Sequence, residues 1–408
     1  ADYAASKIKV EYEVLESVTN VEDATKDGAP ILLSDLVGDH IGKKVEKTNI
    51  ASVTRHEFGD PDKAFQDAEH VVERTFTLQM VHQGYIEPHN ATAVWDEEGR
   101  VKVWTSTQGA FPVRTSTAAI LDMDVSKVKV TPLEIGGGFG GKIPIYLEPV
   151  CATLSKKSGR PVKAVMERSN VFQASGPAPG GTITVKMGTD KNGKLIAADT
   201  SIKLEAGGFP GAAVGAAVQC VFAPYDIANT RIDGYDIVVN KPKSAAYRAP
   251  GSPQAAFASE TVVNELAELH GMDPVEFRLL NASKEGTRRA DGVVFPVIGN
   301  EEVLEAAKAS DHWNSELGTP MKGRVRGRGV ASGYWFNVGL KSTVNLTVNT
   351  DGVVALVEGS TDIGGTRTSI SMQAAEVLGI PATDFRPTVG DTETAGYADV
   401  TGGSRTTY

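Results

Sequence analysis

Five glycines fall within seven residues at Gly136-Gly137-Gly138-Phe139-Gly140-Gly141-Lys142. Such a run lets successive backbone N–H groups face one point with no Cβ in the way. The alternation over Val128–Pro132 predicts a strand entering the cluster. A helix is expected from about Pro144 to Ser158, with Gly159 and Pro161 as its stop signals. The start of that helix would add partial positive charge. Physically this is a cradle for an anion or an oxo ligand; the plain alternative is a tight turn. Two nucleotide patterns match it only superficially. GxGxxG fits at Gly136, Gly138 and Gly141, but no acidic residue follows at the distance a ribose needs. GxxxxGK ends on Lys142, yet Ile143 stands where a P-loop needs a hydroxyl for Mg²⁺.

The 408 residues suggest two or three domains at roughly 150 residues each. A net charge of −10 argues against a nucleic-acid partner, which would draw on clustered Lys and Arg. No apolar run approaches the ~20 residues a membrane helix requires. Cys151 and Cys220 are the two cysteines, too few for a Cys₄ zinc site or an iron–sulfur cluster within the chain. The chain opens on Ala1 with no charged-then-apolar leader, and it closes on a small-residue loop from Gly402 to Tyr408. Both ends read as cut, as in a fragment or one chain of a split enzyme.

Periodicity gives a mixed α+β class, strands and helices interleaving with antiparallel hairpins. A helix-like start leads to an alternating strand at Ile8–Leu15, and residues 17–60 read as a loop-rich linker. A short helix is expected near Asp62–Ala68. Strands are expected at Val71–Gln79, Thr92–Trp95, Val101–Ser106, Val162–Glu167, Thr182–Met187 and Leu195–Leu204. Helices are expected over 111–122 and Gln254–His270, the second with Phe257, Val262, Val263, Leu266 and Leu269 at helical spacing. Asp273-Pro274-Val275-Glu276 opens another. A boundary is expected near 310–325. Beyond it come strands at Ser342–Thr350 and Gly352–Glu358 and a helix at Thr366–Leu378.

Ser106-Thr107-Gln108, the glycine cluster and Ala246-Tyr247-Arg248-Ala249-Pro250-Gly251 occur in an order and spacing that resemble the molybdenum-binding large subunit of the xanthine oxidase family. That family includes aldehyde oxidoreductases, xanthine dehydrogenases and aerobic carbon monoxide dehydrogenases. Gly84-Tyr85-Ile86-Glu87-Pro88-His89, Gly159-Arg160-Pro161-Val162-Lys163 and Gly271-Met272-Asp273-Pro274 extend the likeness along nearly the whole chain. The resemblance implies the end of an α/β hammerhead domain and a linker at 1–50. It implies a first molybdopterin-binding domain at 51–315 and the start of a second at 316–408.

By motif match, the resemblance implies that the Gln108 amide hydrogen-bonds an oxygen ligand of molybdenum. The N–H of Phe139 would donate to the apical oxo, with Gly137, Gly138 and Gly140 allowing the approach. Arg248 matches the arginine of the active-site loop. Gly364 and Gly365 of Asp362–Thr368, together with Gly403 and Ser404, resemble cofactor-binding segments of the second domain. The pterin itself would hold the metal, so no direct protein ligand is expected. Glu87 and Glu148 read as structural carboxylates, and His82 and His89 as hydrogen-bonding residues. The family's catalytic glutamate has no match before Tyr408 and is expected on further sequence or a partner chain.

Ile143 stands where purine hydroxylases carry a glutamate, and Gly215-Ala216-Ala217-Val218 lacks their arginine. A purine's heteroatoms would go unpaired, at ~1–3 kcal/mol each. Ala249 replaces the cysteine that carbon monoxide oxidation requires. The expected substrate is therefore an aldehyde or an aromatic N-heterocycle, with water as the oxygen source. Electrons would leave to a [2Fe–2S] subunit and an FAD subunit. A second molybdenum-domain chain, a cytosine-dinucleotide form of the pterin, and a cytoplasmic or alternatively periplasmic location are further expectations. Two other readings stay open: a phosphate- or nucleotide-binding protein using the glycine loop, and a catalytically incomplete scaffold subunit.

Overall fold

A computed structural model describes residues 2–407; Ala1 and Tyr408, the outer ends of the expected opening helix and closing loop, lie outside the described residues. In chain order the strands are β1 (Val37–His40), β2 (Lys43–Glu46), β3 (Ile50–Phe58), β4 (His70–Leu78), β5 (Asn90–Trp95), β6 (Val101–Thr105) and β7 (Val128–Pro132). They continue with β8 (Val162–Val165), β9 (Gly181–Thr189), β10 (Leu195–Gly207), β11 (Asn229–Val238), β12 (Val344–Val348), β13 (Val354–Glu358) and β14 (Phe385–Val389). The described strands form three sheets, ordered β2-β1-β3-β11-β10-β9-β4, β7-β6-β5-β8 and β12-β13-β14.

The large sheet carries the main core. Ile183, Val185 and Met187 of β9 and Ile202 and Leu204 of β10 are buried at every second position, as a sheet with a covered face requires. Each such side chain contributes ~1.5–3 kcal/mol on burial. Helix Ser252–Leu269 packs on β4 and β9 and supplies Val262, Val263 and Leu266 to that core. Phe257 and Leu269, grouped with them by spacing, are half exposed. A second cluster fills the β5–β8 sheet, which helices Ala110–Ile120 and Glu148–Ser158 cover. Helix Thr366–Leu378 covers the third sheet.

Three expectations need correction. Ile8–Leu15 forms no strand: Ile8, Val10, Tyr12, Val14 and Leu15 are exposed, because no described segment pairs with them. Residues 17–60 are more than a linker. β1, β2 and β3 lie inside them and join the large sheet, β3 antiparallel to β11; strands on both sides of residue 50 are thus hydrogen-bonded neighbours. The helix after the glycine cluster begins at Glu148 rather than Pro144, with Leu147 as its N-cap. Turns and bends take up most of residues 141–147, and Pro149 lies in the first helical turn, where a missing N–H costs no hydrogen bond. The helix start is thus removed from the glycines and carries its own carboxylate in its first turn.

Candidate functional site

β6 and β7 run parallel, Val101 opposite Val128 and Thr105 opposite Pro132. Both therefore end at the same edge, and the segments leaving them, Ser106–Gln108 and the glycine loop, emerge side by side. Gln108 is buried, and its Oε1 accepts from the N–H of Gly140 at 2.8 Å and of Lys142 at 3.3 Å. Its Nε2 donates to Thr401 O at 2.9 Å. The amide expected to reach a metal oxygen is thus committed in large part to the protein, joining the glycine loop to the 401–407 segment. One of its two amide hydrogens remains for another acceptor.

Glu87 anchors the start and end of the loop. Its Oε2 accepts from Gly136 N, Lys142 Nζ and Ser106 Oγ, each at 2.6 Å. Burial alone raises this carboxyl, but donation from Lys142, Ser106 and Gly136 outweighs it and holds Glu87 below its ordinary range. Lys142 is fully buried and its ammonium lies over the Tyr85 ring. It cannot reach a phosphate outside the loop, which removes the lysine of the P-loop-like reading. Glu148 is likewise bonded within the fold, to Thr105 Oγ1 and Tyr146 N. His82 bonds Ser175, and His89 bonds Tyr85; burial lowers His89 to about 4, so it is neutral at pH 7.

Phe139 is held at φ 52°, left-handed and unusual for a bulky side chain. Its carbonyl accepts from Arg248 N at 2.9 Å, which ties the second predicted loop to the first. Ala249 and Ser404 are also left-handed, at φ 57° and 56°. All three predicted segments thus hold a non-glycine residue in the left-handed region, where Ile41, Lys47 and Asp122 also sit elsewhere in the chain. The N–H groups of Gly137, Gly138 and Phe139 have no acceptor among the described residues, and neither do those of Gly402, Ser404 and Thr406. Gly364, Gly365, Gly402, Ser404 and Thr406 line one cleft of about 580 Å³; Gly403 lies between two of these, its carbonyl taken by Val338 N. Arg248 is exposed at the rim of a separate, mostly apolar cavity of about 630 Å³ beside Tyr247 and Phe257.

Several contributors escaped sequence reading. Gln83 donates to Gly176 O and Ala246 O, fixing the Arg248 loop; it sits next to the quoted Gly84–His89 stretch, which was the available signal. Asp362 caps helix Thr366–Leu378 through Gly364 N, Thr366 N and Arg367 N and pairs with the Arg367 guanidinium. Burial opposes its ionisation, yet Arg367 and these N–H groups bring it down to about 2.

Glu358, on β13, is fully buried with neither side-chain oxygen hydrogen-bonded. Burial, with Asp362 adding to it, pushes the carboxyl up to about 7 against the pull of Arg405 and Arg367. A raised carboxyl binds its proton more tightly folded than unfolded. Its stabilisation is therefore complete below pH ~4.5 and is lost as pH rises through about 7. The shift corresponds to a loss on the order of 3 kcal/mol. Hydrogen exchange in β12–β14 should be faster at pH 8 than at pH 5 by more than intrinsic chemistry explains. Glu358→Gln should abolish that excess; an unchanged excess refutes the assignment.

The molybdopterin cofactor-binding domain model matches residues 42–282. The chain belongs to the molybdopterin cofactor-binding family. A second model of the same description covers residues 302–408. The chain is 34% identical over 310 residues to the nicotinate dehydrogenase large molybdopterin subunit of Eubacterium barkeri, covering 75% of this chain and 70% of that subunit. It is 32% identical over 348 residues to an aldehyde oxidoreductase molybdenum-binding subunit of Escherichia coli, covering 82% of this chain and 46% of the relative. The fold matches carbon monoxide dehydrogenase from Oligotropha carboxidovorans with a TM-score of 0.84, at 23% identity over 100% of this chain and 55% of that one. It matches aldehyde oxidoreductase from Desulfovibrio gigas at 0.82 and 22%, over 99% and 45%. The chain thus spans about half the length of several relatives. The relatives named here are molybdenum-dependent oxidoreductases. The expected xanthine oxidase family membership and mixed α+β molybdopterin-domain fold agree with these matches.

The residues present suit the group. Unpaired backbone donors at 137–139 and 402–406 flank Gln108, and Thr406 Oγ1 is buried without a partner. A Cβ at Gly364 or Gly365 would meet open space, leaving room for a ligand. Among the described residues no cluster of His, Cys, Asp and Glu could hold a metal directly, and no helix is long and apolar enough to cross a membrane.

Proposed function

We propose that the chain is the molybdopterin-binding part of a molybdenum hydroxylase acting on an aldehyde or an aromatic N-heterocycle. The observation that carries this is the convergence on Gln108: Gly140 N on one side, Thr401 O on the other, and Phe139 O held by the Arg248 loop. When bound, molybdopterin supplies a molybdenum centre that accepts two electrons from the substrate while an oxygen atom derived from water is added. The protein's part is positional. Gly137, Gly138 and Phe139 offer N–H donors, Gln108 holds the loop to the 401–407 segment, and the cleft at Gly364, Gly365, Gly402 and Ser404 receives the pterin's phosphate end. The cytosine dinucleotide form of the pterin is part of this reading through the family resemblance alone. Arg248, with no partner for its guanidinium among the described residues, faces incoming substrate.

Ile143 and Ala249 leave no anchor for a purine and no thiolate for carbon monoxide chemistry. In this reading electrons then pass to [2Fe–2S] and FAD subunits; Cys151 and Cys220 are free and buried and are no part of that route. A second molybdenum-domain chain or further sequence supplies the base. Free thiols suit a reducing cytoplasm.

The test is metal and pterin analysis of the purified complex, followed by a screen of aldehydes against N-heterocycles with a dye acceptor. About one molybdenum per chain and turnover of one class are expected. Gln108→Ala removes three buried hydrogen bonds and should cost ~2–3 kcal/mol while cutting molybdenum occupancy several-fold with the fold retained. Wild-type occupancy and turnover in that variant would refute the assignment.

A further inference from the structure

Behind the anchor of the glycine loop runs a strip of apolar side chains that the cofactor reading leaves unused. Ile86 is 90% exposed, Val81 53% and Phe172 50%. His82 links them: its ring lies 5.0 Å from that of Phe172, edge to face, and Val81 is its chain neighbour. Val81 also lines the cavity beside Arg248, so the strip ends where the substrate side begins. Ile86 sits on fixed backbone. Its carbonyl accepts from Arg168 Nη2. The next residue, Glu87, accepts from Gly136 N at 2.6 Å and donates its own N–H to Gly136 O at 3.2 Å. A large apolar side chain held open to water in this way serves a partner rather than the core.

Arg168 gives the strip its charge. The guanidinium lies over the Phe172 ring, 5.5 Å from the centroid, and its hydrogen bond goes to a neutral carbonyl, that of Ile86. Among the described residues it forms no ion pair. Burial, and after it the Arg168 charge, lowers the His82 pKa, so the cation is felt across the strip. In a chain of net charge −10, an arginine without a counter-ion beside apolar side chains fits a partner surface that is apolar and rimmed by carboxylates. The proposed reaction calls for two kinds of partner, one that supplies a base and one that takes electrons. The base must reach the substrate, on the Arg248 side. An electron acceptor must sit as near the metal as the protein shell allows, because transfer between centres falls steeply with distance. The strip meets that need, since Glu87 alone stands between Ile86 and the glycine loop.

We infer that the strip of Val81, Ile86 and Phe172, with Arg168 at its edge, is where the [2Fe–2S] subunit docks. This rests on the hydroxylase reading above. The test uses the complex purified through this chain, with iron and molybdenum measured in the same sample. Ile86→Lys places a second cation in the strip without touching the backbone that holds it. It should lower the iron-to-molybdenum ratio about tenfold or more, while molybdenum content and thermal midpoint stay at wild-type values. Arg168→Glu should lower the ratio in the same way. A ratio unchanged in Ile86→Lys overturns the docking site, and so does a complex that carries molybdenum but no iron. Ile86→Cys, treated with a short thiol-to-amine crosslinker, then identifies the neighbour. Cys151 and Cys220 are buried, so wild type serves as the blank. An adduct with the iron–sulfur subunit is expected. An adduct with a second copy of this chain or with another molybdenum-domain chain, or no adduct, overturns the inference. An iron–sulfur adduct in a complex free of molybdenum and pterin sinks the hydroxylase reading alone.

Discussion

Gly140→Ala is expected to lower molybdenum content below a tenth of wild type and to destabilise the first domain by about 3 kcal/mol or more. Gly140 sits at φ 105°, and a Cβ there would lie 2.5 Å from Ala246 O and 2.7 Å from its carbonyl carbon. Both are backbone atoms, so no side chain can swing away. Relief requires the glycine loop and the 246–251 loop to part. That movement breaks the Gly140 N to Gln108 bond and the Arg248 N to Phe139 bond together. Gly159→Ala is the control: φ is 64°, but nothing lies within 4 Å of its Cβ. It should cost only the ~1–2 kcal/mol of left-handed strain and keep its metal. Metal analysis and a thermal scan of both variants decide the matter. Full loading of Gly140→Ala would mean that the loop is no cradle.

Arg278→Met should cost about 3–5 kcal/mol, because it strands a buried carboxylate. Arg278 is fully buried; its Nη2 donates to Glu260 Oε2 at 2.7 Å and to Asn264 Oδ1 at 2.9 Å, and its Nη1 donates to Pro274 O at 3.0 Å. Glu260 also accepts from Tyr225 Oη and from Ser332 N. The pair therefore joins helix Ser252–Leu269 to helix Pro274–Asn281 and to the chain entering the second region. The thermal midpoint should fall by roughly 6–20 °C. Adding Glu260→Gln should recover part of the loss, since the remaining group is then uncharged. A single-variant cost under ~1 kcal/mol, read by denaturant titration, would show that the pair does not hold this corner.

Sequence periodicity located β4 to β10 and the two long helices because their buried residues are apolar and regularly spaced. β11 lacked that signal: Thr230, Gly234 and Asp236 occupy inward positions. Gly234 is required there, since a Cβ would stand 2.6 Å from Val214 and 2.7 Å from Val218 of the helix above. Its partners both lie upstream, β10 paired parallel across a crossover and β3 paired antiparallel from far earlier in the chain, so nothing local announces the strand. Ile8–Leu15 is the converse case, with the alternation present and no described partner.

Among the candidate site residues, the glycine cluster, Gln108 and the Arg248 loop were singled out by sequence, and the fold brings them side by side. Each needs a particular residue type at a particular place in the chain: absent Cβ atoms, an uncharged amide, a fixed turn. What Gln108 holds, why Lys142 faces inward, and that the Glu358 carboxyl lacks a hydrogen-bond partner were decided by the tertiary structure alone. Burial and pairing are properties of neighbours brought together from tens to hundreds of residues away, and a side chain's chemistry depends on them as much as on its own atoms.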